Sequence, residues 1–467
     1  MKAAAGDRLL ACWSETLQRR AGDAAIFSTS GAVLRTCGEI ESEAVRFSHE
    51  RLGDFAPGSV IGIQLGNHRA WPAVLLACLQ RGLVALPIEQ TISLQEREAA
   101  LGVCRAAALV TRDEADENSI AVAPRQGVEV DWGERQPCLL KLTSGTTAAP
   151  RAIRFCSEQL VADCVQICET MGIGERDLNF GVIPVSHSYG LSNLITPVLV
   201  RGVPLVLSRD RMPRALLDDL ARTNATVFPG MPVFYQAFCE MPDVPELPAL
   251  RLCISAGAPL PLAAAQKFRE RFGHAIHSFY GSSECGGICY DRDALLLEQG
   301  FVGQPMAGVQ LEMLDPDAEA TSIRAHTAAA GDGYFPEPDP NKLGGGSFAP
   351  DDLLTATGSG FRIVGRTSDL INVAGKKVNP AEVEAALLGY EGLREAAVFG
   401  LKSTLRNEEV AACVVAESNV READVLEFCR QRLSGWQVPK RIFFLADMPV
   451  SERGKISRRA LAERFAT

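Results

Sequence analysis

From about residue 55 the chain alternates short apolar runs with longer amphipathic stretches, and this alternation narrows the fold more than any other feature. Val60 to Leu65, Leu83 to Pro87 and Ala107 to Val110 read as strands, with helices between them near Arg69 to Leu79 and Leu94 to Val103. Apolar runs without polar alternation suit strands buried on both faces, and a helix between successive strands is the crossover that a parallel sheet needs. A second series continues the pattern at Leu139 to Leu142, Phe180 to Ile183, Val203 to Leu207, Thr226 to Phe228, Arg251 to Ser255 and Ile276 to Phe279. Most of the first 280 residues are therefore expected to form a doubly wound α/β domain.

The character changes after Gly300, where Gly, Pro, Asp and Ala crowd residues 331–350 and leave little periodicity; this segment reads as irregular β structure and loops. A new pattern begins near Ser368. It runs through Leu370 to Val373, a turn at Ala374-Gly375-Lys376, a helix opening at Pro380, strands at Ala396 to Phe399 and Val410 to Val415, and a helix near Glu422 to Leu433. The expected organisation is a large doubly wound domain with a β-rich subdomain over residues 1–366 and a small α+β domain over 367–467.

Composition removes several function classes. The 467 residues carry 57 acidic and 47 basic side chains, spread along the chain, for a net charge of −10. That balance does not suit a protein that coats nucleic acid or an anionic membrane. Apolar stretches such as Ala73 to Leu79 fall far short of the roughly 20 residues of a membrane span, and Met1 to Arg20 has no secretory core, which places the chain in the cytoplasm. The 14 cysteines form neither a Cys-x-x-Cys pair nor a zinc-spaced cluster, so disulfides and structural zinc are not expected. Cys164 with Cys168 and Cys285 with Cys289, at helical i, i+4 spacing, read as small packing residues.

Five segments carry chemistry-bearing residues. Leu139 to Leu142 runs into Thr143-Ser144-Gly145-Thr146-Thr147, then Ala148-Ala149-Pro150 and Arg151. Small residues let backbone N–H groups approach a polyphosphate, hydroxyls add donors and Arg151 adds charge, although the Walker spacing is absent. Taken alone, such a loop is as readily a solvated turn. Tyr280-Gly281-Ser282-Ser283-Glu284 follows an apolar run, at the sheet rim where α/β proteins place ligands, and Glu284 would meet phosphates through a divalent cation. Pro184 to Gly190 contains His187, Gly365 to Glu384 reads as a polar linker into a Pro-started helix, and Ser451 to Arg459 as a basic turn.

The order and spacing of these segments resemble the adenylate-forming superfamily of acyl-CoA synthetases, adenylation domains and luciferases, over nearly the whole chain. In that family a carboxylate attacks the α-phosphate of ATP, pyrophosphate leaves, and the acyl group passes from the adenylate to a thiol. The resemblance implies ATP, Mg²⁺ and CoA as cofactors and cosubstrate, and a small carboxylic acid as substrate. Thr143, Ser144, Gly145, Thr146, Thr147 and Arg151 would cradle the phosphates, and Glu284 with Thr146 would hold Mg²⁺. Gly257, Ala258 and Pro259 would face Tyr280 across the adenine, with Ser278, Gly281, Ser282 and Ser283 beside it. Asp352 and Arg366 would take the ribose and phosphate, Ser368 would be the hinge, and Lys455 would stabilise the charge gathering in adenylation. His187 would line the acyl pocket and shift during transfer to the thiol. Gly375, Lys376, Lys377 and Arg406 are implied on the CoA side.

The chain departs from the family pattern in several places. Ala148, Arg151 and Ala152 stand where glycine, lysine and glycine are usual, Ser283 replaces Thr, Ser278 an amide or acid, and Ser368 an Asp or Lys. Tyr189, Ser192, Met231, Phe234, Ala256, Gly281 and Gly286 would wall the acyl pocket. They include no acid, so a free ammonium is a poor guest and a fatty or aromatic acid is expected. The thiol of a carrier protein is the alternative acceptor, a homodimer is compatible with the family, and a degenerate member that binds nucleotide without turnover is the alternative to an enzyme. An unrelated ATPase or kinase would make ADP.

Overall fold

A computed structural model describes residues 7–113, 116, 119–143, 151–403, 407–449 and 456–466. Its contacts divide the chain into two units, one of Met1–Glu312 with Arg324–Ala349, the other of Met313–Ile323 with Pro350–Thr467. Ser144, Gly145, Thr146, Thr147, Arg406 and Lys455 lie outside the described residues.

The first unit holds two sheets built as the apolar runs predict. In one, Leu139–Leu142, Val84–Pro87, Val60–Gln64 and Ala106–Arg112 lie side by side and parallel, with Ala152–Phe155 and Ile120–Pro124 added antiparallel at either side. In the other, Ile276–Ser282, Leu252–Ser255, Val227–Gly230, Asn179–Gly181, Leu205–Leu207 and Ala24–Ser28 run parallel in that order. Val33–Thr36 adds antiparallel at one side, and Gly286–Tyr290 at the other, where Phe301–Pro305 pairs with it in turn. Val60, Ile61 and Ile63 are fully buried, as a strand covered on both faces requires. The helix Trp71–Gln80, opened by Pro72 in its first turn, is buried at every position from Trp71 to Leu79.

Two expectations need amendment. Cys164 and Cys168 do share a helix, Ser157–Met171, but Cys289 lies on the strand Gly286–Tyr290 and Cys285 just before it. All four are buried, and none of the fourteen cysteines is in a disulfide. The segment Leu191–Ile195 forms a π-helical turn that helical periodicity does not announce. No helix among the described residues is long and apolar enough to cross a membrane.

The second unit pairs Asp352–Thr357 with Gly360–Arg366 as a hairpin. Its other sheet orders Lys376–Val378, Ile371–Val373, Asn407–Ala416 and Leu393–Ser403, with Arg441–Leu445 parallel to Asn407–Ala416. The turn joining the first two strands sits at Ala374 and Gly375, both at positive φ (52° and 88°), the geometry a two-residue hairpin loop demands. The helix Pro380–Leu388 starts at Asn379, whose side chain accepts from the Ala381 N–H. Val383, Leu387, Val398, Val414 and Val425 form its core.

Candidate active site

Because the central strands of the larger sheet are parallel, the residues that follow them emerge at one edge. Pro184 to Ser192 follow Asn179–Gly181, Met231 follows Val227–Gly230, Ala256 to Pro259 follow Leu252–Ser255, and Tyr280 to Glu284 end or follow Ile276–Ser282. This carboxyl edge is where open parallel sheets bind ligands.

The phosphate-loop candidate leaves the smaller sheet through an antiparallel pair in which Leu142 faces Ala152. Both the N–H of Thr143 (2.9 Å) and its Oγ1 (3.1 Å) donate to the Arg151 carbonyl, which clamps the two ends of the loop together. The Arg151 guanidinium lies 4.4 Å over the ring of Tyr334. Tyr334 in turn donates its hydroxyl to Glu284 Oε1 at 3.2 Å. Arg151, Tyr334 and Glu284 are thus linked in series, although they stand far apart in sequence. Arg keeps the charge of the usual lysine and adds a flat face for stacking.

Burial pushes the Glu284 carboxyl up from its ordinary value, opposed by its hydrogen bonds and by Lys342. Ser282 shapes the approach: its Oγ accepts from the N–H groups of Glu284 and Cys285, both at 3.2 Å. A Cβ on Gly281 would fall 2.7 Å from the Gly286 carbonyl, so the two strands close here only with glycine. A half-buried, oxygen-donating carboxylate suits a hard cation that takes its remaining ligands from phosphate and water. Among the described residues no cluster of three or more His, Cys, Asp or Glu side chains could hold a metal ion.

Tyr280 is buried, and Ser278 faces Ser255 across the parallel pair. Gly257, at φ 86°, has open space on its Cβ side, and Pro259 is exposed, so the chain after Leu252–Ser255 forms an open rim beside Tyr280's strand. His187 caps the short helical turn of Ser188–Gly190: its Nδ1 accepts from the Tyr189 N–H at 3.2 Å, so the neutral ring carries its proton on Nε2. Gly190 is required by packing, since a Cβ there would stand 2.1 Å from the Pro184 carbonyl. Tyr189 sets its ring 5.8 Å from that of Phe279, whereas Phe234 turns toward Phe228 at 6.4 Å and Ser192 is buried in the π-helical turn. Gly286 meets Asp163, whose Oδ1 also accepts from the Gly287 N–H at 3.2 Å.

Sequence reading passed over Lys141. It is 4% exposed on the strand Leu139–Leu142, with Nζ 4.3 Å over the Phe155 ring, and burial holds its ammonium below the ordinary value against the pull of Asp163. Tyr334 was also missed, lying in the Gly- and Pro-rich tract where no period marks it.

In the second unit Arg366 Nε donates to Asp352 Oδ1 at 2.8 Å across the hairpin. Ser368 sits exposed in a 3₁₀ turn, Thr367–Asp369, with its Oγ 3.3 Å from Asp369 Oδ1. Arg458, three positions beyond Lys455 and read from the sequence as part of a basic turn, is instead an anchored residue. It donates to Glu384 through both carboxylate oxygens (2.8 and 2.9 Å), to Asp369 (2.7 Å) and to the Val398 carbonyl (3.0 Å). Gly375 donates to Asn372 Oδ1, and Lys376 Nζ lies 3.5 Å over Trp436, while Lys377 is exposed.

Residues 13–326 match the AMP-binding enzyme family, and residues 382–455 match the AMP-binding enzyme C-terminal domain. The chain belongs to the AMP-binding enzyme family. Among its relatives, a feruloyl-CoA synthase of Amycolatopsis is 28% identical over 93% of this chain and 95% of its own length. A 3,4-dihydroxybenzoate–[aryl-carrier protein] ligase of Bacillus anthracis is 28% identical over 71% of this chain and 75% of its own. The fold matches that of ATP-bound MatB from Rhodopseudomonas palustris with a TM-score of 0.84 at 21% identity, over 97% and 98% of the two chains. The family's large α/β and small C-terminal domains are both present.

Proposed function

We propose that this member of the AMP-binding enzyme family activates a carboxylic acid with ATP, releasing pyrophosphate, and passes the acyl group of the resulting adenylate to the thiol of CoA. The observation that carries the reading is the linkage of Arg151, Tyr334 and Glu284 at the foot of the phosphate-loop candidate. It links a cation that would meet phosphate to a carboxylate that would meet a metal.

The chemical difficulty is that an anion must approach a polyanion. Thr143 to Thr147 and Arg151 would hold the phosphates, and Mg²⁺ bound by Glu284 with Thr146 would supply charge neutralisation there. Tyr280 and the rim of Gly257, Ala258 and Pro259 would hold the adenine, and Asp352 with Arg366 the ribose. Lys455 would place its ammonium between carboxylate and α-phosphate. We further assign residues 1–366 to the domain holding ATP and acid, and residues 367–467 to a domain that turns at Ser368 between the two half-reactions. Lys376 and Lys377 would then meet the phosphates of CoA. Fourteen unpaired cysteines fit a cytoplasmic site of action.

A fatty or aromatic acid suits wall positions that themselves carry no acid, and the Asp163 carboxylate behind Gly286 is engaged by the Gly287 N–H. Both relatives named above act, by their names, on aromatic acids, which favours that class. The carrier-ligase relative supports a second reading, in which the acceptor thiol belongs to a carrier protein. Acid-dependent exchange of labelled pyrophosphate into ATP, measured across aryl, fatty and amino acids, tests the first half-reaction. Exchange with an aryl or fatty acid supports it, and silence across all classes points to a member that binds without turnover.

A further inference from the structure

The first unit carries a cleft of about 1000 Å³ that none of the residues assigned above lines. It is walled by Ser28 and Thr29 at the end of Ala24–Ser28, by Asn67 and Arg69 after Val60–Gln64, and by Arg209 and Arg211 after Leu205–Leu207. Asn67 makes the floor rigid: its Nδ2 donates to the carbonyls of Gly181 and Ser208 (both 2.9 Å), and its Oδ1 accepts from the Val185 N–H (2.9 Å).

The charges around this cleft are unequally satisfied. Of its two acids, Asp219 pairs with Arg222, and Asp210 accepts from the Met212 N–H at 2.8 Å. Arg69 has a buried Nε with no hydrogen-bond partner, and among the described residues neither Arg69 nor Arg211 forms an ion pair. Arg35 and Arg209 crowd Arg69, with Glu43 and Asp116 opposing them, but Glu43 is bound to Arg35 at 2.7 Å. The helix Pro213–Thr223 begins at the cleft, with Met212 and Ala215 in its wall and no side chain capping its first turn. Its positive end therefore adds to the arginines. Arg69 is half-buried with an Nε that finds no acceptor, and beside an uncapped helix start its positive charge is one that an anion would complete.

We propose that this cleft binds a ligand carrying a polyphosphate, with Arg69 and Arg211 pairing to its phosphate oxygens. Guanidinium groups match phosphate through paired N–H donors, and the cleft has the volume of a nucleotide site rather than that of a single inorganic anion. The proposal stands apart from the acid-activating reading and needs none of its residues.

Calorimetric titration of the full chain with 3′-phosphoadenosine 5′-diphosphate, pyrophosphate and inorganic phosphate tests it. At least one polyphosphate is expected to bind, with affinity falling about 10-fold or more in Arg211→Glu, whose exposed side chain leaves the fold intact, and in Arg69→Ala. Arg430→Glu, which reverses an exposed charge on the helix Glu422–Arg430, should bind as wild type does. Loss confined to the nucleotide identifies a phosphorylated adenosine as the source, and loss of pyrophosphate as well identifies the polyphosphate alone. Equal affinities in wild type and a folded Arg211→Glu, or no binding of either polyphosphate to wild type, overturn the site. Acid-dependent pyrophosphate exchange measured on the same variant separates this failure from failure of the catalytic reading.

Discussion

Glu284 accepts from the Tyr334 phenol, and in the proposed function that contact would help set how well the carboxylate serves a cation. Replacing Tyr334 by Phe keeps the ring under Arg151 but deletes the hydroxyl that Glu284 accepts. The Mg²⁺ concentration needed for half-maximal pyrophosphate exchange should rise about 10-fold or more in Tyr334→Phe, and an unchanged Mg²⁺ titration would contradict the role given to the pair. Lys455→Ala should slow adenylate formation by about 10²-fold or more while transfer from a supplied adenylate changes far less; equal losses in both half-reactions would remove Lys455 from its assigned place. The two residues also differ in legibility. Lys455 is assigned through its place in an ordered set of motifs, whereas Tyr334 lies in a tract of turns and enters the account only by its contacts with residues 50 and 183 positions away. Lys141 escaped notice for a related reason: an alternating-free apolar strand predicts burial, but not that an ammonium would be buried with it.

At the scale of elements, apolar runs were enough to place the parallel strands, because strands covered on both faces leave little freedom in composition. Strand ends were less legible, as with Asn179–Gly181 against the expected Phe180 to Ile183, since ladder pairing and not hydropathy ends a strand. The His187 turn shows packing deciding sequence: Gly190→Ala should cost roughly 1–3 kcal/mol by forcing the Pro184 carbonyl away, read by urea denaturation, and should lower activity with it. Arg458 ties the helix Arg458–Phe465 to Glu384 and Asp369. Arg458→Ala should destabilise the chain by on the order of 2 kcal/mol at neutral pH. Burial already raises the Glu384 carboxyl, and Arg458 opposes that rise. Without Arg458 the folded form disfavours the carboxylate further, so the loss should shrink as pH falls through the carboxylate range and grow as pH rises. A pH-independent difference between variant and wild type would contradict the ion-pair account.

For the molecule as a whole, the account requires two units that do different work on one intermediate. Both units were legible from the change in pattern after Gly300, while the grouping of the hairpin Asp352–Arg366 with the C-terminal residues was not, because it follows from contacts rather than composition. Ser368→Pro would fix φ at the assigned pivot, and it should slow thioester formation about 10-fold or more while leaving pyrophosphate exchange the less affected. Equal effects on both halves would place the pivot elsewhere. The central claim is that a carboxylate oxygen attacks the α-phosphate of ATP. If so, that oxygen must leave with AMP when the thiol takes the acyl group. Reaction of an aryl acid labelled with ¹⁸O in its carboxylate, with ATP, Mg²⁺ and CoA, followed by mass spectrometry, tests this directly. The account predicts AMP carrying one ¹⁸O, pyrophosphate without label and an acyl-CoA retaining the other ¹⁸O; label in inorganic phosphate with ADP as product would contradict it.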